Sequence, residues 1–280
     1  DVWRLLMEPI TYANGSTLDE PAISYGIVFS NFMSKGVYTF IGGTDLMLDM
    51  MAEEMRGNGV DIQTRALVEK VIVEGGQVRG AVVNGQEIAA KVVISNGSLL
   101  NTVEDLVGTD HFNAEYLAGF QKVRVSNSSS QVYMGIRPGE KLEDIGDLLF
   151  TSTHPVFDST AICAKDVTSR TYSVYYPSIR PGTDKYTIVA SMNGWYDDWA
   201  DYSPEEYKAA KAALIEETLD ALETYVPNIR AICDYTEAAT PKTFQRYTLH
   251  RGGASFGTKF DGLRYSMNLH EQIAGLFHTG

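Results

Sequence analysis

The chain has 280 residues, is 44% hydrophobic and 21% charged, and carries a formal net charge of −13. That length allows one large domain or two ordinary ones. The acidity disfavours nucleic acid and anionic lipid surfaces, which both call for basic patches, and no apolar run approaches the roughly 18 residues of a membrane span.

The elements follow in chain order. Thr17 to Phe32 reads as a helix, capped by Ser16 or Thr17, with Asp19 and Glu20 at its positive end and Pro21 in the first turn. Ile23, Ile27, Phe29 and Phe32 predict that it is buried. Val37 to Ile41 reads as a strand, and Gly42-Gly43 as a turn that a Cβ would hinder. A helix from Thr44 or Asp45 to about Arg56 carries Met47, Met50, Met51 and Met55 near one face, which predicts core filling.

Strands dominate from Leu67. Gly75-Gly76 and Asn84-Gly85 read as tight hairpin turns, the second suited to type I′. Lys91 to Ser95 is apolar through its centre, as a strand buried on both faces would be. Short helices are expected over Leu99 to Val107 and Asn113 to Gln121. Further strands are expected near Ser126 to Arg137, Asp147 to Thr151, Thr171 to Tyr176 and Tyr186 to Met192. Pro204 to Tyr225 is the clearest helix: Ser203 caps it, Pro204 opens it, and Leu214, Thr218 and Leu222 lie on its inward stripe. Ile229 to Ala238 is mixed, Thr240-Pro241 starts a short helix, Arg251 to Gly257 is a glycine-rich loop, and Gly275 to Gly280 is a final strand.

Few constellations point to chemistry. The five histidines have no paired ligand spacing and there is no HExxH or CxxC, so no metal site is expected. Neither GxSxG nor GxGxxG occurs. The loop Gly252 to Gly257 fails as a phosphate loop, because Thr258 stands where the lysine should and Lys259 follows one place late. It reads either as a tight turn or as backbone approaching a flat ligand. Asp197, Asp198 and Asp201 precede a helix start, where carboxylates are ordinary. Cys163 and Cys233 are too few for a disulfide framework, so a reducing, cytoplasmic compartment is expected.

Four ordered stretches resemble one family. They are Gly36-Val37-Tyr38 through Gly42-Gly43 and the helix beyond; Val60 to Thr64, Val68, Val71 and Gly76 to Gly80 through Val92 to Asn96; Thr240 to Phe244 followed by Gly252 to Gly257; and Gly275 to Gly280. Together they are similar to the FAD-dependent desaturases and isomerases that include bacterial phytoene desaturase, carotenoid isomerase and retinol saturase. Thr44-Asp45 departs from that pattern, which has a small apolar pair there. The family's N-terminal GxGxxG unit and the rest of its C-terminal flavin motif are not in this sequence, so an inner segment of such an enzyme is expected.

The resemblance implies a mixed α/β (α+β) architecture. Residues 1–35 and 99–262 would form a substrate-binding domain with a mixed or antiparallel sheet. Residues 36–98 and 263–280 would form part of an FAD-binding domain. It also implies FAD as cofactor of the full-length protein, not retained by this segment, and hydride transfer or double-bond isomerisation on a hydrophobic, polyene substrate. Val68, Asn96 and Gly280 would lie at the cofactor, and Tyr38, Gly42, Gly43 and Gly253 at flavin or substrate. No catalytic side chain is implied. A peripheral membrane contact is compatible with such a substrate. The alternatives are a flavin amine oxidase and a flavin-free binding domain for apolar ligands.

Overall fold

The computed structural model describes residues 2, 6, 7, 20–36, 38, 40–178, 180 and 183–279. In chain order it begins with α1 (Ala22–Lys35) and α2 (Gly43–Gly57). A three-stranded antiparallel meander follows: β1 (Val68–Glu74), β2 (Gln77–Val83) and β3 (Gln86–Ala89). Then come β4 (Val93–Ser95), a helical segment over Leu99–Asn101 that continues as a π-helical turn over Thr102–Val107, and α3 (Ala114–Phe120). Next are β5 (Ser128–Ile136), β6 (Leu148–Ser152), β7 (Ser169–Tyr175), β8 (Thr187–Gly194), α4 (Pro204–Glu223), β9 (Cys233–Ala239) and α5 (Pro241–Thr248). A short helix over Leu263–Met267 and β10 (Leu276–His278) complete the chain.

Two compact units emerge. One comprises residues 1–62 and 127–243, the other 63–126 and 244–280. The first holds an antiparallel sheet of order β6-β7-β8-β5-β9. β5 alternates strictly between buried and half-buried residues, so Val132, Met134 and Ile136 all point to one face. That face packs with Leu214, Leu219 and Leu222 of α4 in a core that also takes Tyr172, Ile188 and Ile229. Ser203 and Glu206 form a reciprocal cap that satisfies the first turn of α4. The Tyr172 hydroxyl donates to the Thr218 carbonyl at 3.2 Å, and burial pushes its pKa up to about 12.

The second unit has its own core, built from Val71 and Val78 of the meander, Leu99, Val103 and Val107, and Leu269, Ile273 and Leu276. Phe112, Tyr116 and Phe120 stack along it with ring centroids 5.2 and 5.9 Å apart. Both hairpin turns form as expected. Asn84 and Gly85 take φ of 48° and 77°, the doubly left-handed geometry of a type I′ turn.

The compact units divide at 62/63, 126/127 and 243/244, and Leu99 to Phe120 bury their apolar side chains against the meander core. Several expectations about single elements are corrected. Tyr38 and Phe40 lie in no strand, while Val37, Thr39 and the proposed caps Ser16 and Thr17 fall outside the described residues. α1 is not buried: Ile23 and Ile27 are exposed, and neither core takes a residue from it. The methionines of α2 fill no core either; Met50, Met51 and Met55 face solvent and the helix buries nothing. An amphipathic stripe predicts burial only where a partner surface meets it. β4 is likewise not covered on both faces. Among the described residues it pairs only with β10, and Ile94 stays 66% exposed.

Candidate functional site

β4 and β10 are the one parallel pair of strands among the described residues, in the register Leu276↔Val93, Phe277↔Ile94 and His278↔Ser95. Both therefore end on the same side. In parallel α/β sheets ligands bind beyond the carboxyl ends of the strands, where loops diverge and leave a crevice. A cavity of about 540 Å³ lies there, lined by Asn96, Gly97 and Ser98 after β4, by His278, and by the loop from His250 to Phe260. That volume is in the small-molecule range of about 300–1,000 Å³.

Local hydrogen bonds fix its walls. Asn96 Nδ2 donates to the Thr279 carbonyl at 2.7 Å, and Thr279 N–H donates to the Ser95 carbonyl at 2.9 Å, so the two strand ends are tied together. The glycine-rich loop is zipped to 124–126. Ser126 N–H donates to Gly257 O at 2.9 Å, Phe256 N–H to Ser126 Oγ at 3.2 Å, and Lys259 N–H to Arg124 O at 2.8 Å. Arg251 pairs with Glu104 and Asp105 and anchors the other end of the loop. Gly252 and Gly253 take φ of 65° and 60°, which residues with a Cβ rarely adopt.

His278 joins three segments. Its Nε2 lies 2.9 Å from the Gly97 carbonyl and its Nδ1 2.7 Å from Ser266 Oγ. A carbonyl only accepts, so Nε2 carries the hydrogen and Nδ1 of the neutral ring accepts from Ser266. Burial pulls the His278 pKa below the ordinary histidine value; the Gly97 bond opposes this and nearby His250 adds to it.

The residues expected from the sequence fall in different places. Asn96 lines the cavity, and Gly253 is buried in the loop that forms its wall. Val68 opens β1 and is 39% exposed. Tyr38, Gly42 and Gly43 belong to the other unit; Tyr38 is exposed, and the two glycines have φ of 85° and 79° at the start of α2. Gly280 lies outside the described residues. His250, Lys259, Ser266 and His278 were not expected as site residues. The legible signals were an imidazole at a motif position that is apolar in the resembled family, and a lysine one place late for a phosphate loop.

Comparison with known proteins gives the family. The pattern described as flavin containing amine oxidoreductase matches residues 1–280. The chain belongs to that family. Its cofactor is therefore a flavin. The chain is 24% identical over 245 residues to the chloroplastic prolycopene isomerase of Daucus carota, covering 86% of this chain and 39% of that protein. It is 23% identical to the all-trans-retinol 13,14-reductase of Danio rerio, over 89% of this chain and 45% of that one. The chain thus spans less than half the length of these curated relatives. The crystal structure of an oxidoreductase from Methanosarcina mazei superposes on all of this chain and 59% of its own, with TM-score 0.60 at 14% identity, which gives the fold.

The donor set fits a flavin nucleotide. Among the described lining residues are hydroxyls, an amide, imidazoles and the Lys259 ammonium, and no Asp or Glu. No group of three His, Cys, Asp or Glu among the described residues could hold a metal ion, and no helix of the described residues is long and apolar enough to cross a membrane.

Proposed function

We propose that the full-length protein is an FAD-dependent oxidoreductase of the desaturase and isomerase class, acting on a hydrophobic polyene. The observation that carries this is the cavity at the carboxyl ends of β4 and β10, with no Asp or Glu among its described lining residues, in a chain of the flavin family. Support for the substrate comes from relatives named for prolycopene, retinol and diapolycopenal.

In this reading Asn96, Val68 and Gly280 meet the cofactor, and Tyr38, Gly42, Gly43 and Gly253 face flavin or substrate. The flavin, when bound, exchanges hydride with the substrate carbon skeleton. The chain's residues hold it and exclude water. Asn96 and His278 keep the two strand ends and the 95–98 turn in one arrangement, which fixes the cavity wall. No acid–base pair is required of the protein. A cytoplasmic location with contact at a membrane periphery suits a polyene, and a single apolar small molecule is the expected partner.

Full-length protein should purify yellow or be reconstituted by FAD, whereas this chain alone should purify colourless. With FAD, prolycopene or all-trans-retinol should give an isomerised or hydrogen-shifted product by chromatography. A colourless full-length protein that FAD cannot restore would sink the reading. Oxidation of a primary amine with no turnover of either polyene would move it to the amine oxidases.

A further inference from the structure

Charge distinguishes this cavity from two others among the described residues. The chain carries 36 acidic residues against 23 lysines and arginines. A cavity of about 240 Å³ beside α4 is lined by one lysine, Lys165, against three carboxylates, Asp166, Asp198 and Glu217. One of about 570 Å³ on the sheet is lined by Lys185 against Asp234 and Glu237. The described lining of the site at the end of β4 has no carboxylate and includes Lys259. In so acidic a chain this composition marks a site for a negatively charged group.

Lys259 is suited to that role by its placement. It is 7% exposed, so its stem is packed and its position is restricted. Its backbone is fixed on both sides: its N–H donates to Arg124 O at 2.8 Å, and its carbonyl accepts from Gly262 N–H at 2.9 Å. An ammonium held in such surroundings interacts with an anion far more strongly than one in water. Ser255 and Thr258 on the same loop add hydroxyl donors.

We propose that Lys259 is the charge partner of an anionic group on the ligand that occupies this cavity. The identity of that ligand rests on the flavin reading; its charge does not. A flavin nucleotide offers two such groups, its diphosphate and its ring when reduced.

The test titrates this chain with inorganic pyrophosphate, and the full-length protein, stripped of its cofactor, with FAD and with oxidised and reduced riboflavin. Wild type should bind pyrophosphate, Lys259→Gln should bind it at least about tenfold more weakly, and Lys259→Arg should stay within about threefold. Glu237→Gln, in another cavity, should match wild type. Should Lys259→Gln not fold, ¹³C-lysine-labelled wild type gives a second readout. Its Lys259 signal, assigned by its loss in Lys259→Arg, should move on adding pyrophosphate while that of Lys185 stays. A preference for FAD over oxidised riboflavin that vanishes in Lys259→Gln assigns the diphosphate. A preference for reduced over oxidised riboflavin that vanishes there assigns the ring. Equal pyrophosphate binding by wild type and Lys259→Gln, no binding by wild type, or an unmoved Lys259 signal overturns the proposal. If pyrophosphate binding depends on Lys259 but the full-length protein binds no flavin, Lys259 keeps its role and the flavin reading fails.

Discussion

His278 combines two roles at one position. It pairs β10 with β4 through its backbone, and its ring bridges Ser266 and the Gly97 carbonyl. Because the folded state disfavours the imidazolium, the unfolded chain binds more protons between the depressed folded pKa and the ordinary value near 6.5. Stability is therefore full above the ordinary value and is lost as pH falls through that window. His278→Gln keeps a donor toward Gly97 but cannot titrate. Its urea midpoint should fall less between pH 7.5 and pH 5 than that of wild type. Identical pH slopes would show that His278 does not supply the acid sensitivity.

At the level of elements, the meander is the part in which sequence and structure coincide most closely. Gly80 shows why. It pairs with Ala89, and a Cβ built on it would lie 2.1 Å from the Ile88 carbonyl oxygen and 3.0 Å from its carbon. Those are backbone atoms, so no rotamer change relieves the clash; β3 must shift. Gly80→Ala should cost about 1–3 kcal/mol, the usual range for overpacking, measured as a lower denaturant midpoint with β1–β2 amide exchange accelerated. Unchanged stability would mean that β3 moves away freely. The strands of the five-stranded sheet were legible for a similar reason: alternation over Ser128–Ile136 states which side chains face α4. The helices before the meander were legible only as helices. Their apolar stripes carry a period but not the identity of a covering surface.

Across the whole molecule, two cores share no residue, one centred on Leu222 and Tyr172 and the other on Val103 and Leu269. Each is a separate cluster of buried apolar side chains within one compact unit, and such units generally fold as units. Calorimetry should resolve two transitions. Leu222→Ala should lower one, at a cost of about 2–5 kcal/mol for a fully buried leucine, and Val103→Ala the other. A single transition moved equally by both variants would mean one cooperative block.

By itself the sequence determined the meander with its two glycine turns, the capped helix over Pro204–Glu223, and the family, because these rest on local signals: turn residues, alternation, caps and motif order. The tertiary structure decided where the units divide and which residues form the cavity. Asn96, Lys259 and His278 lie up to 182 positions apart (278 − 96) yet line one space. Parallel pairing of β4 with β10 and the zipping of the loop onto 124–126 bring them together. Such contacts form between segments distant in the chain, and no local pattern of residues encodes which distant segment each will meet.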